Sequence, residues 1–177
     1  MYGVARGASI AGVNASHYAV DKDGAFPSFY SSDLTWALKY VYDLRVTHGV
    51  KVAAVNLSIG GGLFTGYCDG GWADGTAAPL LVGQWLDAVR SAGIAPVISS
   101  GNDASATALG APACRASAIS VGNTTITPNG VDAVYYYSNS NATLDLLAPG
   151  TDICSAVPVN LDNDGRADGW QCGWNGT

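Results

Sequence analysis

The chain has 177 residues, the length of one domain, and 8 Lys and Arg against 14 Asp and Glu give it a net charge of −6. That balance excludes the basic footprint of a nucleic-acid binder. Charged residues are only 12% of the chain, about half the usual quarter, and the small residues that replace them suit a secreted protein. No apolar run approaches the ~20 residues of a membrane span. Met1-Tyr2-Gly3-Val4 is not a basic segment ahead of an apolar stretch, so it does not read as a signal peptide. With 48% apolar residues the chain can bury a sizeable core.

In chain order, Ser9–Val13 reads as a short apolar strand, and residues 14–30 as a loop in which Asp21-Lys22-Asp23-Gly24 is a turn. Leu34, Leu38, Val41 and Leu44 then recur at helical spacing, with Ser31 or Ser32 as N-cap and Gly49 as the stop. Val52–Leu57 is a continuous small-apolar run, the pattern of a strand buried on both faces. It ends at Gly60-Gly61-Gly62. Pro79 opens a second helix whose apolar face is Leu81, Trp85, Ala88, Val89 and Ala92, with Gly93 after it. Ile94–Ser100 is the next strand, with Pro96 near its start because a central strand needs its N–H groups. Ala118–Val121, Leu144–Leu147 and Ile153–Val157 are further strands. Alternating apolar strands and helices imply an α/β fold of three layers, a mostly parallel sheet with helices on both faces. Ligands of such sheets bind beyond the carboxyl ends of the strands. Here those ends are Ser58–Gly62, Ser99–Asn102 and Gly122-Asn123.

The strand ends carry a family resemblance. Gly3-Val4-Ala5-Arg6-Gly7-Ala8, Val55-Asn56-Leu57-Ser58-Ile59-Gly60-Gly61, Ser99-Ser100-Gly101-Asn102 and Ala111-Pro112-Ala113-Cys114 come first. Tyr137-Ser138-Asn139-Ser140, Leu144–Gly150 and Asn175-Gly176-Thr177 follow. In this order they resemble the segments of subtilisin-like serine proteases, the subtilases, across residues 1–177 taken as one partial peptidase domain. The resemblance implies a secreted serine endopeptidase, monomeric when complete, acting on protein or peptide substrates. It needs no nucleic acid or membrane partner. The family's triad is Asp, His and Ser. By motif position, the Asp and His are expected ahead of Met1 and the Ser after Thr177, so the chain reads as an internal fragment, inactive alone. His17 and His48 lie in no matching context and read as surface histidines.

What the chain retains is cleft chemistry. Acyl transfer needs donors for a developing oxyanion. The resemblance gives that role to Asn102, whose carboxamide N–H stabilises negative charge without titrating. Gly101-Asn102-Asp103 could also be a simple turn. Ser58, Ile59 and Gly60, with Ser99, Ser100 and Gly101, match the walls of the family's primary specificity pocket. Small residues there leave room for a bulky apolar side chain. The first wall also pairs with the substrate as an added strand.

Asn160, Asp162, Asp164 and Asp168, with Gly165, have calcium-loop spacing, but Gln171 stands where a bidentate Glu is normal. They are either a calcium site or a solvated acidic turn. Cys68, Cys114, Cys154 and Cys172 allow three pairings. Cys68 and Cys114 follow neighbouring strands and Cys154 and Cys172 bracket the acidic loop, so Cys68–Cys114 and Cys154–Cys172 are expected, in an oxidising compartment. Five Asn-x-Ser/Thr sequons begin at Asn14, Asn56, Asn123, Asn141 and Asn175. Two other readings compete with a protease fragment. One is a noncatalytic peptide-binding module that keeps the cleft. The other, a nucleotide-binding α/β domain, lacks any Gly-rich phosphate turn.

Overall fold

The computed structural model describes residues 5, 7–22, 24–70, 78–157 and 169–177. A hairpin of β1 (His17–Asp21) and β2 (Gly24–Ser28) leads into α1 (Ser31–Val46). β3 (Ala54–Leu57), β4 (Gly61–Phe64), α2 (Ala78–Ser91), β5 (Ala95–Ser99) and β6 (Leu109–Ala111) follow. Then come β7 (Ile119–Ile126), β8 (Asp132–Val134) and β9 (Leu146–Pro149). A second hairpin, β10 (Ile153–Val157) with β11 (Gly169–Trp174), closes the order.

The main sheet runs β3-β5-β7-β8, with β9 also on β7. β3, β5, β7 and β9 are parallel; β8 is antiparallel to β7. The α/β class therefore holds. β4 and β6 pair separately. Pro96 is tolerated inside β5 because pairing with β7 begins one residue later, at Val97 opposite Ile119.

Leu34, Leu38 and Val41 of α1 and Val82, Leu86 and Val89 of α2 are buried together against Leu57 of β3 and Ile98 of β5. Among the described residues both helices thus lie on one face of the sheet. The other face is half open. In β5, Pro96 and Ile98 are buried while Ala95, Val97 and Ser99 are half-buried. The expectation that the strands are covered on both faces fails most plainly at β3, whose Ala54 and Asn56 are exposed.

Four further expectations differ from the structure. Ser9–Val13 is no strand: it has no pairing partner among the described residues, and Ile10 is 94% exposed. The loop at 14–30 contains β1 and β2, with the expected turn joining them between Asp21 and Gly24. On α2 the expected Val89 is buried and Trp85 and Ala92 pack against the core, but Val82 and Leu86 join them and Leu81 is exposed. Gly83 follows Val82 on this helix. A Cβ there would collide with the Arg115 guanidinium, so only glycine lets that side chain lie flat on the helix. Arg115 in turn reaches Asp87 Oδ2 at 3.0 Å and the Asp69 carbonyl at 3.1 Å. At the start of α1 the N-cap is Tyr30, the residue before the two serines, and its N–H donates to Asp33 Oδ2 at 3.4 Å.

The disulfides join Cys68 to Cys114 and Cys154 to Cys172, as expected. The first lies in a satellite core with Leu109 and Ala111. Among the described residues no helix is long and apolar enough to cross a membrane.

Candidate active site

Parallel pairing of β3 with β5 sets Leu57 opposite Ile98. The chain beyond each strand therefore emerges at one sheet edge: Ser58-Ile59-Gly60 from β3, Ser99-Ser100-Gly101-Asn102 from β5. The Ser99 hydroxyl donates to the Ile59 carbonyl at 3.4 Å and ties the two segments together. All six wall residues and Asn102 thus fall in one region.

Asn102 sits at the tip of the turn. Its Oδ1 accepts two bonds from Thr177, from the backbone N–H at 3.1 Å and the hydroxyl at 3.0 Å. The Gly101 N–H donates back to Thr177 Oγ1 at 3.2 Å. A backbone N–H can only donate, so these bonds fix which end of the carboxamide is oxygen. The Nδ2 group makes no bond among the described residues and remains a free neutral donor. Such a group can stabilise negative charge growing on an oxygen.

Asn139 holds the turn from behind, and its own side chain is fully buried. Its Oδ1 accepts from the N–H groups of Asp103 at 2.9 Å and Ser105 at 3.1 Å. Its Nδ2 donates to the Ser100 carbonyl at 3.2 Å and to Asp103 Oδ2 at 2.9 Å. Its backbone N–H donates to the Gly101 carbonyl. Gly101 has φ +106°, and a Cβ there would strike the Asn139 amide, so glycine is required twice over.

Asn123, also fully buried, anchors the opposite side: its Nδ2 donates to the Gly150 carbonyl at 3.1 Å. The Gly176 N–H donates to that same carbonyl at 3.0 Å. Thr177 therefore reaches Asn102 from a segment docked on Gly150. Ser120 and Asp145 lock β9 to β7: Asp145 Oδ2 accepts from the Ser120 N–H and hydroxyl, both at 2.8 Å.

Beside Gly60 and Gly61 lies a pocket of about 110 Å³, nearly all apolar, with Leu34, Phe64, Val82 and Pro112 among its walls. On the far side of the turn, the Ala104 N–H donates to the Tyr137 carbonyl. The rings of Tyr135, Tyr136 and Tyr137 cluster with centroids 4.5 to 5.0 Å apart. Desolvation first, then the neighbouring phenols of Tyr135 and Tyr136, raise the Tyr137 pKa above its ordinary value.

His48 is exposed at the end of α1. His17 is not simply a surface group: it stacks on Tyr30 at 4.3 Å, with Nδ1 3.8 Å from Asp33 Oδ2. Neither contact brings it to Asn102. The calcium-loop candidates Asn160, Asp162, Asp164 and Asp168 lie outside the described residues, as does Gly3-Val4 of the first motif. Asn139 stands inside the Tyr137-Ser138-Asn139-Ser140 motif, where its role is not legible from sequence. Nothing in Ser-Asn-Ser distinguishes a buried four-bond staple from a loop.

The pattern of the subtilase family matches residues 1–177. Proteinase T of Parengyodontium album is 41% identical over 116 residues, 66% of this chain and 31% of that protein. Among solved structures, sphericase aligns with TM-score 0.62 at 19% identity, over 88% of this chain and 46% of its own. A cold-adapted subtilisin-like serine proteinase aligns with TM-score 0.58 at 22% identity, over 84% and 43%. The chain thus spans less than half the length of each.

Proposed function

The chain belongs to the subtilase family, and from that premise we propose that it is the substrate-cleft part of a secreted serine endopeptidase. The complete enzyme hydrolyses peptide bonds through a serine acyl-enzyme. In this reading Asn102 Nδ2 donates to the oxyanion of the tetrahedral intermediate. Ser58, Ile59 and Gly60 receive the substrate backbone as an added strand, and Ser99, Ser100 and Gly101 form the facing wall. The apolar pocket beside Gly60 takes an apolar substrate side chain. Nucleophile and base come from elsewhere in the domain, so the chain alone binds peptides without cleaving them.

One observation carries the reading: Asn102 has its acceptor end consumed by Thr177 and its donor end free, at the edge where both wall segments emerge. A random turn asparagine has no reason to present only its donor. The two disulfides support a secretory route.

Titrating the 15N-labelled chain with an apolar-rich peptide tests the cleft. Shifts are expected at Ser58–Gly60, Ser99–Gly101 and the Asn102 side-chain amide. Peptide binding that moves none of these overturns the assignment. Hydrolysis of the peptide by the purified chain, blocked by a serine-directed reagent, overturns the division of labour.

A further inference from the structure

Five sequons occur in the chain, and their asparagines differ in what the fold leaves available. An N-linked glycan needs a solvent-facing carboxamide nitrogen on a surface loop. Asn123 is fully buried, its Nδ2 committed to the Gly150 carbonyl. Asn141 Nδ2 is buried without a partner. Asn56 sits within β3 and donates Nδ2 to Ser58 Oγ at 3.1 Å. Asn175 donates Nδ2 to the Gly173 carbonyl at 3.1 Å, and the hydroxyl of its Thr177 is bonded to Asn102.

Asn56 and Asn175 are exposed but their Nδ2 groups are bonded, whereas the Nδ2 of Asn14 is open. Asn14 is exposed and lies in an irregular loop before β1. Its Oδ1 accepts from the Ser16 N–H at 3.1 Å and the Ser16 hydroxyl at 3.0 Å. Those bonds turn Nδ2 away, and it makes none among the described residues.

A second observation concerns what surrounds it. Asn14 and Ser16 form one wall of a groove of about 310 Å³ whose other wall is α1, with Asp33, Trp36 and Tyr40. Trp36 is 67% exposed and Tyr40 53%, four residues apart on one helix face. Side by side on the groove wall, the two rings present a continuous aromatic surface. Their flat apolar surfaces suit the C–H face of a sugar ring, and the polar groups of Asp33 and Ser16 suit its hydroxyls.

We propose that Asn14 is an N-glycosylation site and that the first N-acetylglucosamine of its glycan seats in this groove against Trp36 and Tyr40. The transfer joins Asn14 Nδ2 to C1 of a lipid-diphosphate-linked oligosaccharide. The C1–O bond to phosphate breaks, the amide gives up one proton, and the lipid diphosphate leaves. The proposal rests on the secretory route inferred above, but not on the cleft chemistry.

The test expresses the full chain behind an added signal sequence in a yeast secretory host. The disulfide-bonded fraction is recovered from microsomes and medium, and sequon occupancy is mapped by peptide-N-glycosidase release in 18O-water. The expected result is label at Asn14, none at the other four, and loss of label in Ser16→Ala. An unlabelled Asn14 in disulfide-bonded chain overturns the site. Failure to form disulfides in the microsomes instead breaks the secretory reading. For the seat, trimming to a single N-acetylglucosamine should leave a melting temperature about 2–4 °C above that of Asn14→Gln. Trp36→Ala should keep the label and erase that difference. Equal melting of trimmed chain and Asn14→Gln overturns the seat.

Discussion

The helix-covered side of the sheet and the cleft edge are built from different physics. Between α1, α2 and the sheet, Leu34, Leu38, Leu86, Val89 and Ile98 fill space and carry no polar atoms on their side chains. At the cleft edge the buried side chains are Ser100, Ser120, Asn123, Ser138 and Asn139. Apolar packing tolerates small shifts of shape, whereas hydrogen bonds fix direction. A group whose donor must be aimed, as the proposed role of Asn102 Nδ2 requires, is better held by amides than by methyl groups. The helix side therefore holds the fold, and the polar edge sets geometry.

Four changes sharpen or break that division. Leu86→Ala, at a side chain with no exposure, should cost about 2–5 kcal/mol in urea unfolding. Amide exchange at Asp103 and Ser105 should stay slow in the surviving folded state; a loss of protection there would mean the two regions are not separable. Asn139→Ala leaves the partly exposed N–H groups of Asp103 and Ser105 without their side-chain acceptor, at up to about 1 kcal/mol for each lost bond since water can replace it. Exchange should accelerate at those two amides before it does in α1 or α2. Gly83→Ala should expel Arg115 from the face of α2, since the new methyl occupies its place. A loss of about 1–3 kcal/mol, with the Asn102 side-chain signal unmoved, is expected by thermal unfolding.

The smallest effect concerns pH. The raised Tyr137 pKa means that the folded state holds that proton more tightly than the unfolded state. This increment of stability is complete below the ordinary tyrosine range and is lost as pH rises through the folded value. Tyr137→Phe should flatten the alkaline limb of stability against pH. An unchanged limb would show that the tyrosine cluster is uncoupled from folding.

In a complete enzyme containing this chain, Asn102→Ala should lower kcat about 10²–10³-fold with little change in KM, a factor established on a subtilisin and carried over here.

Much of this arrangement was legible in the residues. α1 announced itself through Leu34, Leu38 and Val41, because burial at 3.6-residue spacing leaves a direct trace. The site edge was legible because glycine and asparagine cluster where parallel strands stop. The α2 face was only partly legible, with Leu81 taken for Val82, because both extend an apolar stripe. The β1–β2 hairpin escaped notice because Pro27 argues against a strand, and only its turn was visible. β3 read as doubly buried because small apolar residues look the same whether covered or bare. Asn139 was invisible as a staple because its four side-chain bonds go to residues 34 to 39 positions away.

The two disulfide bridges differ in when a reductant can reach them. Cys68 and Cys114 are both buried in the satellite core, whereas Cys154 is half-buried and Cys172 exposed, on paired strands at the surface. A small thiol can attack the surface bridge in the intact fold. For the inner one it must wait for an opening motion. In a graded reductant the protein should pass through a form with one bridge left, and that survivor braces the pocket wall rather than the outer hairpin.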